Sequence, residues 1–162
     1  MDTVRVESQG AVTTVTLNRP DVRNALDEGA IAGLTRAFLK LPASARVVVL
    51  AGEGAAFCAG ADLGWMKRSR SFTKKENVRD AGTLAALLRA IDECSRPVLA
   101  RVHGSAFGGG CGLVAACDVA GAADTAQFGF TEVRLGLMPA VISTFVVPRI
   151  GMRAARRYFL SG

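Results

Sequence analysis

Two short apolar runs constrain this chain more than any other feature: Arg46 to Ala51 (RVVVLA) and Pro97 to Val102 (PVLARV). Both are rich in β-branched residues and read as buried strands. Each leads into a stretch dense in glycine and alanine, GEGAAFCAGADLG after the first and HGSAFGGG after the second. Helical periodicity follows in both cases. Buried strands that alternate with helices point to an α/β fold rather than an all-α or all-β one.

The remaining segments fit that frame. Residues 2–8 and 11–18 alternate around Gln9-Gly10 and predict a β-hairpin that ends at Asn18-Arg19-Pro20. Asp27 is placed as the N-cap of a helix through Leu41, with Ile31, Leu34, Phe38 and Leu41 on one face and Pro42 as its stop. A short helix is expected over 62–69, a longer one from Lys74 to Cys94, and a small-residue helix from Cys111 to Ala116. Val119 and the segment AQFGF predict short strands, Glu132 to Gly136 a turn, and Ile142–Ile150 and Arg153–Leu160 closing helices. No fixed-period repeat or linker interrupts the chain, so residues 1–162 are read as one domain.

Composition narrows the function classes. With 50% hydrophobic and 21% charged residues, the chain can form a core and is not disordered. Charge-free stretches such as Val102–Cys117 are broken by glycine, and none supplies the roughly 20 apolar residues of a membrane helix. The amino terminus, MDTVRVESQG, carries an acid at position 2 and no apolar core, so no secretory signal is expected. Cys58, Cys94, Cys111 and Cys117 form no CxxC pair and His103 is the only histidine, which offers no zinc spacing. Scattered thiols without an export signal imply reduced cysteines and a cytoplasmic setting. The net charge of +6 gathers at Lys67, Arg68, Arg70, Lys74 and Lys75, and again at Arg149, Arg153, Arg156 and Arg157. Aromatic residues do not interleave with these bases, which argues against a nucleic-acid platform. The second cluster has the spacing of a solvated helix face. The first follows a glycine-rich loop and is the better candidate for meeting phosphates.

Three features could carry chemistry. Ala59-Gly60-Ala61-Asp62 and Gly108-Gly109-Gly110 each follow a buried strand, where bare backbone can approach a ligand and aim amides at it. Two such amides from different loops can converge on one oxygen and stabilise charge developing there. Tight strand–helix packing is the alternative use of the same glycines. Asp118, Asp124 and Glu132 are the only carboxylate side chains after Glu93, and Glu132 lies between two apolar segments. Such surroundings raise a carboxyl pKa and suit proton transfer, although an acid at a helix start serves equally without chemistry. Other motifs fail: Leu113 breaks GxGxxG, no GxxxxGK[ST] exists, and His103 stands where GxSxG needs glycine. His103 reads as structural, and Asp118 as an anchor for backbone.

Taken in order, NRPDVRNAL (18–26), AFCAGADL (56–63), VHGSAFGGGCGLVAACD (102–118) and AQFGFTEVRLGLMPA (126–140) resemble the enoyl-CoA hydratase/isomerase (crotonase) superfamily. The resemblance implies a spiral of stacked ββα units and a coenzyme A thioester as ligand, with no separate cofactor and no metal. It assigns the Ala61 and Gly109 amides to the thioester oxygen and Glu132 to acid–base catalysis. Arg23, Ala25, Ala59, Asp62, Leu63, Phe107, Gly108 and Gly112 join Ala61 and Gly109 as substrate-binding positions, with the first basic cluster near the nucleotide phosphates.

One departure stands out. Hydratases of this superfamily usually carry a second glutamate just after GGGC, where this chain has Gly112. In a hydration, a single Glu132 then does both proton transfers or another group holds the water; alternatively it serves as the one base of a double-bond isomerase. TEVRLGLMPAVIS looks like the methylglutaconyl-CoA hydratase type, so hydration is the leading expectation and isomerisation the second. Ala140 stands where a dehalogenase-like relative would place its aspartate. A non-catalytic acyl-CoA-binding or subunit-interaction remnant is the third reading. The superfamily's chains continue past RRYFLSG into a helical part that covers the acyl pocket and builds trimers or hexamers. That part is missing from these residues, so assembly is expected to be weakened and apolar surface exposed.

Overall fold

The computed structural model describes residues 2–162; Met1, which opens both the 1–162 domain and the stretch read for a signal, lies outside them. Strands β1 (Val4–Gln9) and β2 (Val12–Leu17) form the antiparallel hairpin, turning at Gly10 with φ 59°. To β2 are added, all parallel, β3 (Val47–Gly52), β4 (Val98–Val102) and β6 (Val119–Ala122), in the order β1-β2-β3-β4-β6. Register runs straight across the sheet: Val15 faces Leu50, Leu50 faces Ala100, and Ala100 faces Ala120. Val15, Leu50 and Ala100 have no exposed surface, as the β-branched runs predict.

A second, smaller layer lies where each long strand ends. There β5 (Ser105–Phe107) pairs in parallel with β7 (Gln127–Gly129), Cys58 bridges Ala106, and Leu26 bridges Ala61. The chain thus passes four times through strand, short extended segment and helix: β2, Leu26 and α1 (Glu28–Leu39); β3, Cys58–Ala61 and α2 (Leu63–Ser69) with α3 (Lys74–Asp92); β4, β5 and α4 (Gly109–Ala116); β6, β7 and α5 (Ala140–Ser161). This is the stacked ββα spiral. The long strands begin at 12, 47, 98 and 119, and these unequal intervals are why no sequence repeat marks the turns.

The helices follow their local signals with small shifts. Asp27 accepts the Ala30 amide at 2.8 Å and starts α1, whose Ala30, Ile31, Leu34, Ala37 and Phe38 are buried. The helix ends at Leu39 rather than Leu41, because Pro42 disfavours helical backbone at the residue before it. Thr73 and Glu76 close a capping box at the head of α3. Helix α4 starts two residues earlier than expected, at Gly109, so most of the triple glycine is helix rather than loop. A Cβ on Gly110 would stand only 2.5 Å from the Cys58 carbonyl oxygen, so only glycine lets α4 pack this closely. Helix α5 breaks at Gly151 (φ 77°, ψ 159°), which separates the two closing helices that the sequence predicts. AQFGF contributes only Gln127–Gly129 as strand before Phe130 turns away into the core.

Leu26, Leu34, Leu50, Phe57, Leu87, Leu88, Ile91 and Leu113 are at most 1% exposed and tie the sheet to α1, α3 and α4. Each such side chain stabilises the fold by roughly 1.5–3 kcal/mol against exposure. Asp118 accepts the Val98 amide at 2.8 Å, and His103 Nε2 lies 2.8 Å from the Gly54 carbonyl oxygen, so both tie down backbone. Burial pushes the Cys58 and Cys117 thiols up to about 12 and the Cys111 thiol to about 11, which leaves them unreactive. Among the described residues no cluster of histidine, cysteine and carboxylate side chains is suited to a metal ion, and no helix is long and apolar enough to cross a membrane.

Candidate active site

Both glycine-rich loops and Glu132 open on one cavity of about 260 Å³. Leu26, Ala59, Gly60, Ala61, Gly108 and Gly109 form one part of its wall; Thr131, Glu132, Leu135 and the segment Leu137–Ile142 form another. Leu63, Trp65 and Met66 of α2 and Leu84 of α3 complete it. Apart from Thr131 and Glu132, every side chain in this lining is apolar or absent.

The loops come together through backbone hydrogen bonds. Cys58 donates to Ser105 at 3.0 Å and Phe107 donates back to Cys58 at 2.9 Å, which sets the strand ends side by side. Leu26 donates to the Gly60 carbonyl at 2.7 Å and accepts from the Asp62 amide at 2.9 Å. In a parallel bridge those two bonds flank the residue between them, whose own N–H points to the opposite side. That residue is Ala61. Gly109 opens α4, so its N–H lacks an intrahelical acceptor and has the helix dipole behind it. Among the described residues neither the Ala61 nor the Gly109 amide donates a hydrogen bond. A Cβ on Gly60 would lie 2.8 Å from the Phe107 carbonyl oxygen and 3.6 Å from the Gly109 nitrogen, so the two loops meet at glycines with no room for a side chain.

Glu132 sits in a 3-10 turn, Thr131–Leu135, which follows β7 and Phe130. Its Oε2 is buried and has no hydrogen-bond partner among the described residues. Burial raises the carboxyl above the ordinary glutamate range, partly offset by a hydrogen bond from its own N–H. Gly108 lies against it: with φ 48°, a Cβ there would stand 2.9 Å from Glu132 Oε1. The carboxylate therefore faces the glycine turn that leads into α4. Such an arrangement can hold a proton at an apolar, partly enclosed point in the same cavity as two unused N–H donors.

The predicted residues are distributed as follows. Ala59, Ala61, Leu63, Gly108, Gly109 and Glu132 line the cavity. Arg23, Ala25, Asp62, Phe107 and Gly112 do not. Arg23 is exposed at the turn before Asn24, and its carbonyl accepts the Ala59 amide at 2.9 Å. The Asp62 carboxylate caps α2 by accepting the Trp65 amide at 3.0 Å; that bond, assisted by Arg19, holds its pKa below the usual carboxylate range. Gly112 is buried under α5, where a Cβ would stand 2.5 Å from Ile142 Cγ2 and 3.6 Å from Leu88 Cδ1. Ile142, a lining residue, takes the space that a side chain at position 112 would need.

Sequence reasoning missed Arg19 and Asn24. Asn24 is fully buried in left-handed backbone (φ 55°), donates to the Glu53 and Ala56 carbonyls at 2.8 Å each and accepts the Arg19 amide at 2.9 Å. These partners lie up to 32 positions away, and no local pattern announces them. The first basic cluster lies on α2 and the start of α3, where Arg68 pairs with Glu28 at 3.0 Å. In the second, Arg149 pairs with Asp92 at 3.5 Å, and Arg153, Arg156 and Arg157 are solvated.

Known proteins share this architecture. The family model described as enoyl-CoA hydratase/isomerase matches residues 7–162. An enoyl-CoA hydratase of Alternaria alternata is 38% identical over 162 residues, taking in 96% of this chain and 51% of that protein. The crystal structure of an enoyl-CoA hydratase from Shewanella pealeana superposes with a TM-score of 0.95 at 38% identity, covering 98% of this chain and 61% of that one. An enoyl-CoA hydratase/isomerase from Marinobacter aquaeolei gives a TM-score of 0.93 at 38% identity, covering 100% and 64%. This chain spans between about half and just under two thirds of the length of these relatives. Sequence match over nearly every residue and superposition over the whole spiral lead to one conclusion: the chain belongs to the enoyl-CoA hydratase/isomerase (crotonase) family.

Proposed function

We propose that this site adds water across the 2,3 double bond of an enoyl-CoA thioester. The observation that carries the reading is the buried Glu132 oxygen, without a partner among the described residues, in the same cavity as two N–H groups that donate to no acceptor among them. In this reading the thioester oxygen accepts from Ala61 and Gly109. Water oxygen bonds to C3 while a water proton passes to Glu132, and the electrons of the double bond move to the thioester oxygen as an enolate. The two amides stabilise that charge. Glu132 then returns the proton to C2, the enolate collapses, and a 3-hydroxyacyl-CoA leaves. A carboxyl whose pKa is raised by burial is suited to both taking and returning the proton.

Coenzyme A arrives as part of the substrate, so the reaction calls for no separate cofactor. Its nucleotide end would run past Arg23, Ala25, Ala59 and Leu63 toward Lys67, Arg70, Lys74 and Lys75, which gives the positive charge an anionic partner. The likeness of TEVRLGLMPAVIS to methylglutaconyl-CoA hydratases supports a branched acyl group. A second reading, double-bond isomerisation, is favoured by Gly112: with Ile142 over it, Glu132 is the only carboxylate in the lining. One base that moves a proton between the α- and γ-carbons of the enolate needs no second acid.

A three-substrate panel separates the readings by the absorbance of the conjugated thioester. Crotonyl-CoA or 3-methylglutaconyl-CoA loses conjugation on hydration, and a 3-enoyl-CoA gains it on isomerisation. Glu132→Gln is expected to lower the hydration rate by roughly 10²–10⁴ while leaving CoA-ester binding intact. Wild-type turnover in that variant would sink the assignment of Glu132. No change with any of the three substrates would favour an acyl-CoA-binding remnant.

A further inference from the structure

The reading above needs the Ala61 N–H to be held in place, and one side chain is built to hold it. Arg19 lies two residues beyond the end of β2, and its side chain is only 19% exposed. Its Nη1 donates to the Ala25 carbonyl, and its Nη2 lies 2.9 Å from Asp27 Oδ2 and 3.2 Å from Asp62 Oδ2. Ala25 and Asp27 flank Leu26, and Asp62 is the neighbour of Ala61. The Leu26–Ala61 bridge is therefore gripped from both strands by one guanidinium.

The two aspartates divide their oxygens in the same way. Asp27 Oδ1 caps α1 through Ala30 and Asp62 Oδ1 caps α2 through Trp65, while each Oδ2 turns to Arg19. Without the guanidinium these two Oδ2 atoms would face each other as uncompensated like charges, which push carboxylates apart. The segments that would separate are those that aim the Ala61 amide.

We propose that Arg19 is a positioning residue for the thioester oxyanion, acting through Asp62 and the Leu26–Ala61 bridge; this rests on the reading of Ala61 as a donor. Lysine cannot replace it fully, because a point charge cannot bond three acceptors in a planar fork. Asp62→Asn keeps the cap, since asparagine caps as well as aspartate, but removes the ion pair.

The test uses the 162-residue chain and a 2,4-dienoyl-CoA, whose absorption shifts to the red when its carbonyl is polarised on binding. The shift is measured in the Glu132→Gln background, so that the probe is not consumed. Turnover is measured with Glu132 intact. Arg19→Met is expected to lose most of the red shift and to lower kcat by roughly 10–100-fold, with KM changed by less than about threefold. Arg19→Lys should recover part of both, and Asp62→Asn should lower kcat by about 3–10-fold. Should Arg19→Met fail to fold, the Lys and Asp62→Asn variants decide. Full red shift and unchanged kcat in those two would overturn the role of Arg19 while leaving the amide reading intact. Absence of the shift with Arg19 and Asp62 unaltered would overturn both.

Discussion

The two walls of the cavity are built on opposite rules. Behind the Ala61 wall, around Arg19, the polar side chains are paired: Asn24 uses both ends of its amide, two aspartates share a guanidinium, and the backbone of Leu26 is bonded on both sides. On the Glu132 wall the surroundings are apolar, one carboxylate oxygen has no partner among the described residues, and Leu135, Leu137 and Met138 are largely exposed. The first wall spends its polar side chains on geometry, which aims two free amides. The second keeps a side chain free for chemistry. A paired network gives precise placement because each bond limits the others, whereas a lone carboxyl in apolar contact has the shifted proton affinity that proton transfer needs.

Removing a member of the paired wall should therefore have the largest effect on stability. Asn24→Ala leaves three polar groups without a partner and puts alanine in left-handed backbone. A loss of about 3 kcal/mol is expected, a fall in Tm of roughly 9 °C for a domain of this size. A thermal melt that moved by less than a degree would show that the wall is not held by its hydrogen bonds.

Where α5 meets α4, the strain is steric. Gly112→Ala gains helix propensity of about 1 kcal/mol but drives a methyl into Ile142. Overpacking of a buried β-branched side chain should win, for a net loss of about 1–2 kcal/mol in chemical denaturation. For the same reason Gly112→Glu should fail to restore a second carboxylate. If Gly112→Ala were stabilising, α5 would be shown free to move away, and the contrast between the walls would weaken.

The smallest effect has the opposite sign. Burial raises the Glu132 carboxyl in the fold, so between its unfolded and folded values the native state binds the extra proton and stability falls as pH rises. Above the folded value the ionised carboxylate destabilises the native state in full. Glu132→Gln should thus raise Tm near neutral pH and leave it almost unchanged near pH 4, the smallest of these changes. A gain that did not change with pH would mean that the carboxylate is solvated, like an ordinary surface acid.

The sequence reveals these walls unequally. RVVVLA and PVLARV were legible as strands because burial on a sheet demands β-branched residues locally, and Asp27 was legible as a cap because a cap needs only the next three residues. Leu41 misled the end of α1, since apolar periodicity runs on past the point where Pro42 stops the backbone. Glu132 stood out because carboxylates are scarce in the second half of the chain. Arg19 and Asn24 did not, because what makes them matter is Asp62, 43 positions from Arg19, and the Ala56 carbonyl. The cover over Gly112 was likewise invisible: Ile142 arrives from another turn of the spiral, and only packing brings the two together.

Trp65 gives the cavity an optical property. It is the only tryptophan in the chain, it is 8% exposed, and it lies in the lining next to Met66. Any molecule that enters alters the surroundings of a single indole, with no emission from other tryptophans to dilute the signal. Intrinsic fluorescence is therefore an unlabelled gauge of occupancy for this site, one that reads binding even in variants that turn nothing over.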